Sequence, residues 1–242
     1  MAEPVRLQKF FTDTGTLSRR AAEAEIVAGR VLVNGVVAKL GDKIDPERDT
    51  VIFGGKRILP RADKPHKYVM LNKPRGYVTT AKDEQGRRKV TDLTRDAGTR
   101  LYPVGRLDMD SEGLLLLTDD GELTNRLTHP RHEIPKIYHV TVSPTPTVAQ
   151  LHALGEPMVL DGYTLLPVGV RTLAEDTLEM TLYEGRNRQI RRMCEAVGLK
   201  VVRLCRVAIG ELTLGKLPLG KWRELTDAEV QYLVAQKTIE RK

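Results

Sequence analysis

The segment Pro60-Arg61-Ala62-Asp63-Lys64-Pro65-His66-Lys67 constrains this chain more than any other, because it is polar, carries two prolines and shows no apolar periodicity. Neither a helix nor a central strand runs through such a stretch, since proline lacks a backbone donor and restricts the residue before it. At 242 residues the chain has room for a small unit and a medium one, each burying its own core. The reading is a module at 1–60, a linker at 61–67 and a larger domain at 68–242.

Within the module, residues 5–58 read as helix, helix and hairpins. Ser18 is placed to cap a helix whose apolar positions Ala22, Ile26 and Val27 recur at helical spacing, and Gly29 supplies the stop. Asn34-Gly35 between Val31-Leu32-Val33 and Val36-Val37 predicts a tight hairpin, because a type I′ turn needs positive φ at both central positions. A second hairpin is expected at Val51–Phe53, Gly54-Gly55 and Lys56–Ile58.

The larger domain opens with a strand, Tyr68–Lys73, ended by Pro74-Arg75-Gly76. Beyond it, strands at 114–117, 137–142, 178–183 and 201–204 alternate with helices at 121–127, 146–154 and 187–197. Thr226-Asp227-Ala228-Glu229 reads as a capping box that opens a last helix. This order predicts an α+β fold, a mixed or antiparallel β-sheet with flanking helices, and is too irregular for a doubly wound one.

A formal net charge of +7 points to an anionic partner, either nucleic acid or a membrane surface. No apolar run approaches the roughly 18 residues of a membrane span, and Met1-Ala2-Glu3-Pro4 does not begin a signal peptide, so a soluble cytoplasmic protein is expected. Cys194 and Cys205 have no C-x-x-C spacing, and His66, His129, His132, His139 and His152 show no ligand spacing, so no metal is expected. Neither a phosphate-binding G-x-x-x-x-G-K-[ST] nor a dinucleotide G-x-G-x-x-G occurs.

Two segments of opposite charge carry the chemistry. Gly185–Arg192 sets four arginines around one glycine, while Gly105-Arg106-Leu107-Asp108-Met109-Asp110-Ser111-Glu112-Gly113 is a carboxylate-rich turn leading into Leu114–Leu117. If the turn is extended, Arg106 and Asp108 share a face, and a cation there favours the charged carboxylate. A structural ion pair and a reactive acid both fit, with Asp110 and Glu112 as rivals. Paired carboxylates also suit glycoside hydrolysis, although nothing visible sets their protonation apart. On a helix, Arg188, Arg191 and Arg192 would line one stripe, with Ile190 and Met193 turned to the core. Lys200, Arg203 and Arg206 continue the positive tract, which favours a phosphate-tracking surface over a merely solvated face. Tyr138 alternates with Val140 and Val142, which suits a core residue or a platform for an unstacked base.

Together these segments resemble the RsuA/RluB branch of pseudouridine synthases, almost end to end. The module is similar to an S4 RNA-binding domain through Arg6-Leu7-Gln8-Lys9, Ser18–Glu23 and Gly29–Gly35. The larger domain is similar through Leu71–Gly76, Gly105–Thr118, Arg126-Leu127-Thr128-His129-Pro130, Lys136-Ile137-Tyr138, Gly185–Met193 and Gly220–Leu225. Cys205 and Cys194 depart from it, standing where the family often has a basic and an aromatic residue respectively.

The resemblance implies isomerisation of a uridine to pseudouridine in ribosomal RNA, without a cofactor or metal. It makes Asp108 the essential carboxylate, Tyr138 the ring stacked on the target uracil and Arg191 the partner of Asp108. Arg106 would brace the gap left by the displaced base. It also offers RNA contacts at Arg6, Lys9, Ser18, Arg19, Arg20, Arg30 and Asn34 in the module, and at Lys73, Arg75, Arg186, Arg188 and Arg192 beyond it. Asp108 has three possible jobs: attack on C1′, attack on C6 of uracil, or removal of a C2′ proton. The implied partner is ribosomal RNA or an assembling subunit, met by a monomer, with large-subunit RNA favoured over small-subunit RNA. Two other classes compete: a non-catalytic RNA-binding assembly factor, and a nucleoside hydrolase that would leave free base or an abasic site.

Overall fold

In the structure, a computed structural model describing residues 3–60, 65–81, 83–128 and 134–235, Asn34 and Gly35 take φ of 52° and 82°. These are the two left-handed positions that the first hairpin requires. Val31–Val33 pairs with Val36–Val37 and with Val51–Phe53, which in turn pairs with Lys56–Ile58. The hairpins pack on helices Leu7–Asp13 and Arg19–Val27 around Leu7, Phe10, Phe11, Ala22 and Ile26. Ser18 caps the second helix by accepting the Ala21 amide proton. Val27 departs from expectation at 72% exposed, because Ala22 and Ile26, four residues apart, complete the inward stripe and Val27 ends the helix. A two-residue strand pair, Val5–Arg6 with Lys43–Ile44, is too short to announce itself in sequence.

Backbone contacts divide the chain into two units, Met1–His66 and Lys67–Lys242. The residues 61–64 of the expected linker lie outside the described residues, as do His129 and Pro130 of the Arg126–Pro130 segment.

The larger unit is built on one long sheet whose strands run, in spatial order, 169–174, 177–182, 136–143, 200–209, 112–118, 68–73 and 222–224. All neighbours are antiparallel except 112–118 against 200–209, which is parallel. The run Leu114–Leu117 is apolar throughout because the strand is buried on both faces. Leu114 and Leu116 enter one core cluster, and Leu115 and Leu117 enter another with Leu107. A third cluster joins Val140, Leu178 and Leu204 to Ile190 and Met193 of the helix Gln189–Ala196. The expected helix 187–197 starts later because Arg188 is left-handed, with φ 49° and ψ 32°. The expected strand 201–204 runs on from Lys200 to Ile209. The capping box forms as read: Thr226 donates its amide proton to Glu229 at 2.8 Å, and Glu229 donates its own to the Thr226 hydroxyl at 3.3 Å. Among the described residues, no helix is long and apolar enough to cross a membrane.

The parallel junction depends on Gly113. Its φ is 105°, and a Cβ there would collide with the backbone of Arg206, its partner across the junction. Gly113→Ala is therefore expected to destabilise the protein by about 3 kcal/mol, combining backbone strain with separation of the strands. An unchanged urea midpoint would mean that the strand 200–209 yields freely.

Candidate functional site

The turn carrying Asp108 is held by its main chain. Lys73, fully buried at the end of its strand, donates to the carbonyls of Pro74 at 3.2 Å, Asp108 at 2.9 Å and Ser111 at 2.8 Å. The Ser111 amide donates back to the Asp108 carbonyl at 3.1 Å, and the Gly76 amide donates to that of Met109 at 2.8 Å. Arg191 donates to the carbonyl of Asp110 at 2.9 Å. The Thr79 hydroxyl donates to the carbonyl of Leu107 at 2.6 Å. With the backbone fixed from Leu107 to Ser111, the Asp108 side chain projects at 36% exposure, 3.8 Å from Arg188.

The predicted pairs are rearranged. Arg106 is exposed, and Arg188 approaches Asp108 in its place. Arg191 finds its short-range partner in Asp110, with Nε 3.3 Å from the carboxylate, rather than in Asp108, whose charge reaches it only from farther off. That Nε makes no hydrogen bond, so the contact is a charge contact only. Arg188 also grips Asp110, donating two hydrogen bonds at 3.2 and 3.1 Å. Burial works to raise the Asp110 carboxyl, but the Arg188 hydrogen bonds and the charges of Arg191 and Arg188 outweigh it and hold the group below the usual carboxylate range. Burial lowers Arg191, against the pull of Asp110.

The arginine stripe is correspondingly split. Arg188 and Arg191 turn to Asp110, while Arg192 donates to Asp161 at 2.8 and 2.6 Å. Arg186 lies over the Tyr163 ring and 3.4 Å from Glu184. Glu112 is buried between Arg75 at 2.9 Å and Arg203 at 2.9 Å. In sequence Glu184 and Glu195 are the nearby opposing charges, and Glu184 does reach Arg186, whereas the fold brings Asp110, Asp161 and Glu112 to the remaining cations from elsewhere.

Lys73 is corrected most: an expected RNA contact, it has no exposed surface and serves the turn from beneath. In the first unit, Ser18 is engaged as a helix cap, and Asn34 donates to Asp49 at 2.8 Å and accepts from the Thr50 amide at 2.8 Å. Lys9 pairs with Asp13 and Arg30 with Glu25. Arg6, Arg19 and Arg20 are exposed without an ion-pair partner among the described residues.

Tyr138 is half-buried and joins two clusters, one of them containing Leu107 beside Asp108. It sits opposite Arg206, which sits opposite Gly113, so three adjacent strands place the ring one strand away from the parallel junction. An open cavity of about 640 Å³ is lined by Arg75, Asp110, Arg188, Arg191, Lys200 and Val202 among others. Cys194 is buried, its thiol pushed up to about 11 by burial, and Cys205 is also raised by burial, so neither is a ready nucleophile. Among the described residues, no group of three or more His, Cys, Asp or Glu side chains is arranged to hold a metal. The site thus offers two carboxylates on a restrained turn, Asp108 and the arginine-held Asp110, with a cluster of guanidinium groups and an aromatic ring.

The family described as RNA pseudouridylate synthase matches residues 67–196, and the S4 domain matches residues 5–50. A protein of Aquifex aeolicus described as an uncharacterized RNA pseudouridine synthase is 42% identical over 98% of both chains. The ribosomal large subunit pseudouridine synthase B of Bacillus subtilis is 41% identical over 95% of this chain and 96% of its own. The dual-specificity RNA pseudouridine synthase RluF of Escherichia coli is 38% identical over 93% of this chain and 77% of its own. A crystal structure of a pseudouridylate synthase superposes with a TM-score of 0.68 at 34% identity, covering 95% of this chain and 99% of the other.

Proposed function

Because the chain belongs to the RsuA/RluB/RluF family of RNA pseudouridine synthases with an N-terminal S4 domain, we propose that it isomerises a uridine of ribosomal RNA through Asp108, Tyr138 and Arg191. The observation that carries this assignment is the turn itself. Its carbonyls are held by Lys73, Gly76, Ser111 and Arg191, yet the Asp108 carboxylate is left accessible. A group whose backbone is that restrained is positioned for attack or proton transfer at little entropic cost.

A uridine in structured RNA must first leave its stack, at roughly a few kcal/mol, which stacking on Tyr138 at about 1–3 kcal/mol and phosphate contacts offset. Asp108 then acts at the sugar–base bond, by attack on C1′, attack on C6 or removal of the C2′ proton. Arg191 and Arg188 tie down Asp110, which leaves Asp108 as the less encumbered acid of the turn. Arg106, exposed beside it, is free to enter the space of the displaced base.

Large-subunit RNA is the favoured substrate, supported by the likeness to the Bacillus subtilis enzyme. Carbodiimide-primer extension on both ribosomal RNAs from a deletion strain should show one stop lost from the large-subunit RNA. Loss from the small-subunit RNA alone would overturn the choice of substrate, and loss from neither would favour a binding-only role.

The S4 module is proposed to raise local concentration on the RNA through Arg6, Arg19 and Arg20. Deleting residues 1–60 should weaken RNA binding roughly 10-fold or more and flatten its salt dependence. Circular dichroism should retain the signature of the larger unit. An unfolded truncate would contradict the boundary.

A further inference from the structure

Lys136 and Arg206 are two cations that the ion-pair network leaves unanswered. Lys136 opens the strand that carries Tyr138, and it has neither a hydrogen bond nor an ion pair among the described residues. Arg206 is 5% exposed, donates from Nε to the Leu114 carbonyl at 2.7 Å, and keeps a buried Nη2 without a hydrogen-bond partner among the described residues. Alternation along the strand puts Lys136, Tyr138 and Val140 on one face, and Arg206, opposite Tyr138 and two residues on from Leu204, shares it. Burial, then the Arg206 charge, pushes Lys136 down to about 8. Asp110 is committed to Arg188 and Arg191 and Glu112 to Arg75 and Arg203, while Asp108 pairs with neither Lys136 nor Arg206 among the described residues.

Two desolvated cations side by side without an anion are unfavourable in the free protein, and such a site suits a negative charge that arrives or develops later. We propose that Lys136 and Arg206 take up the charge that develops on the uracil ring during isomerisation. This rests on the pseudouridine synthase reading and deepens it. When the N1–C1′ bond breaks, its electron pair leaves with the base and spreads over N1, O2 and O4. In the C1′ and C2′ routes, C1′ is satisfied by Asp108, through an oxygen–C1′ bond or by transfer of the C2′ proton to the carboxylate. After the base turns, an electron pair at C5 closes on C1′ and the Asp108 bond breaks or its proton returns to C2′. The C5 proton then leaves and N1 takes one up, so no oxidant, reductant or second substrate is needed. Tyr138 holds the base by its face, which leaves the ring's carbonyl edge for cations on the same strand face.

Lys136→Met removes the charge while keeping most of the length; Arg206 is left in place because it holds the Leu114 carbonyl. Single-turnover conversion of ribosomal RNA is expected to fall about 10²-fold, the loss typical of one donor to a developing anion. RNA affinity should stay within about 2-fold, and Lys136→Arg should recover most of the rate. Lys136→Gln, a second neutral variant, should share the loss. A fully active Met or Gln variant overturns the proposal. So does an unchanged rate with weaker, less salt-sensitive binding, which would assign Lys136 to a phosphate. An active wild type beside a fully active variant would sink the charge assignment alone; a wild type that releases no tritium from C5-labelled RNA would sink the parent reading.

Discussion

Asp108→Asn is expected to lower tritium release from C5-labelled ribosomal RNA by at least about 10³-fold, a barrier increase of about 4 kcal/mol. The size follows from the absence, among the described residues of the turn, of a free carboxylate to substitute. Asp110 is held by two arginines, and Glu112 is buried between two others. The fold should survive, because the turn is fixed through its main chain and, among the described residues, the Asp108 side chain has a single ion-pair contact, at 3.8 Å with Arg188. RNA binding and circular dichroism should therefore match the wild type. A variant that still releases label would remove Asp108 from the chemistry and leave the carboxylate assignment without a candidate.

Lys73→Met should reduce both stability and rate. The methionine fills much of the volume but strands the carbonyls of Pro74 and Ser111 and one of the two bonds to Asp108, a loss of roughly 3 kcal/mol. With its anchor gone the turn shifts, and a displacement of about 1 Å at the carboxylate is worth about 10² in rate. Burial lowers Lys73 from 10.5 to about 8, against the opposing charges of Asp108, Asp110 and Glu112. Since the folded value lies below the unfolded one, the unfolded chain binds more protons between them. This lysine therefore makes the wild type gain stability relative to the variant as pH rises from about 8 towards 10.5. Urea denaturation of both proteins at about pH 7.5 and pH 10 checks the sign. The opposite slope would show that neighbouring carboxylates, rather than burial, set the lysine's protonation.

The local grammar of the fold was legible because its causes are local. Asn34-Gly35 dictates its own turn, Ser18 and Thr226 their own caps, and the continuous Leu114–Leu117 run a strand covered on both sides. The partners of charged groups were not legible, since a chain displays neighbours in order and not in space. Arg191 therefore found Asp110 and Arg192 found Asp161. The burial of Lys73 runs against its residue type, because lysine is seldom buried. The signal was its place at the end of Val-Met-Leu-Asn, where burial is continuous along the strand. Arg206 was hidden in the same way: the strand 200–209 looks basic and exposed from sequence, yet its second half enters the sheet interior.

The separate cores of the two units have a consequence for how such enzymes diversify. A small RNA-gripping unit that satisfies its own interior can be exchanged or redrawn without disturbing the sheet on which the reactive turn rests. Chimeras that graft the first unit of one relative onto the second unit of another should keep the chemistry while changing how tightly each RNA is held.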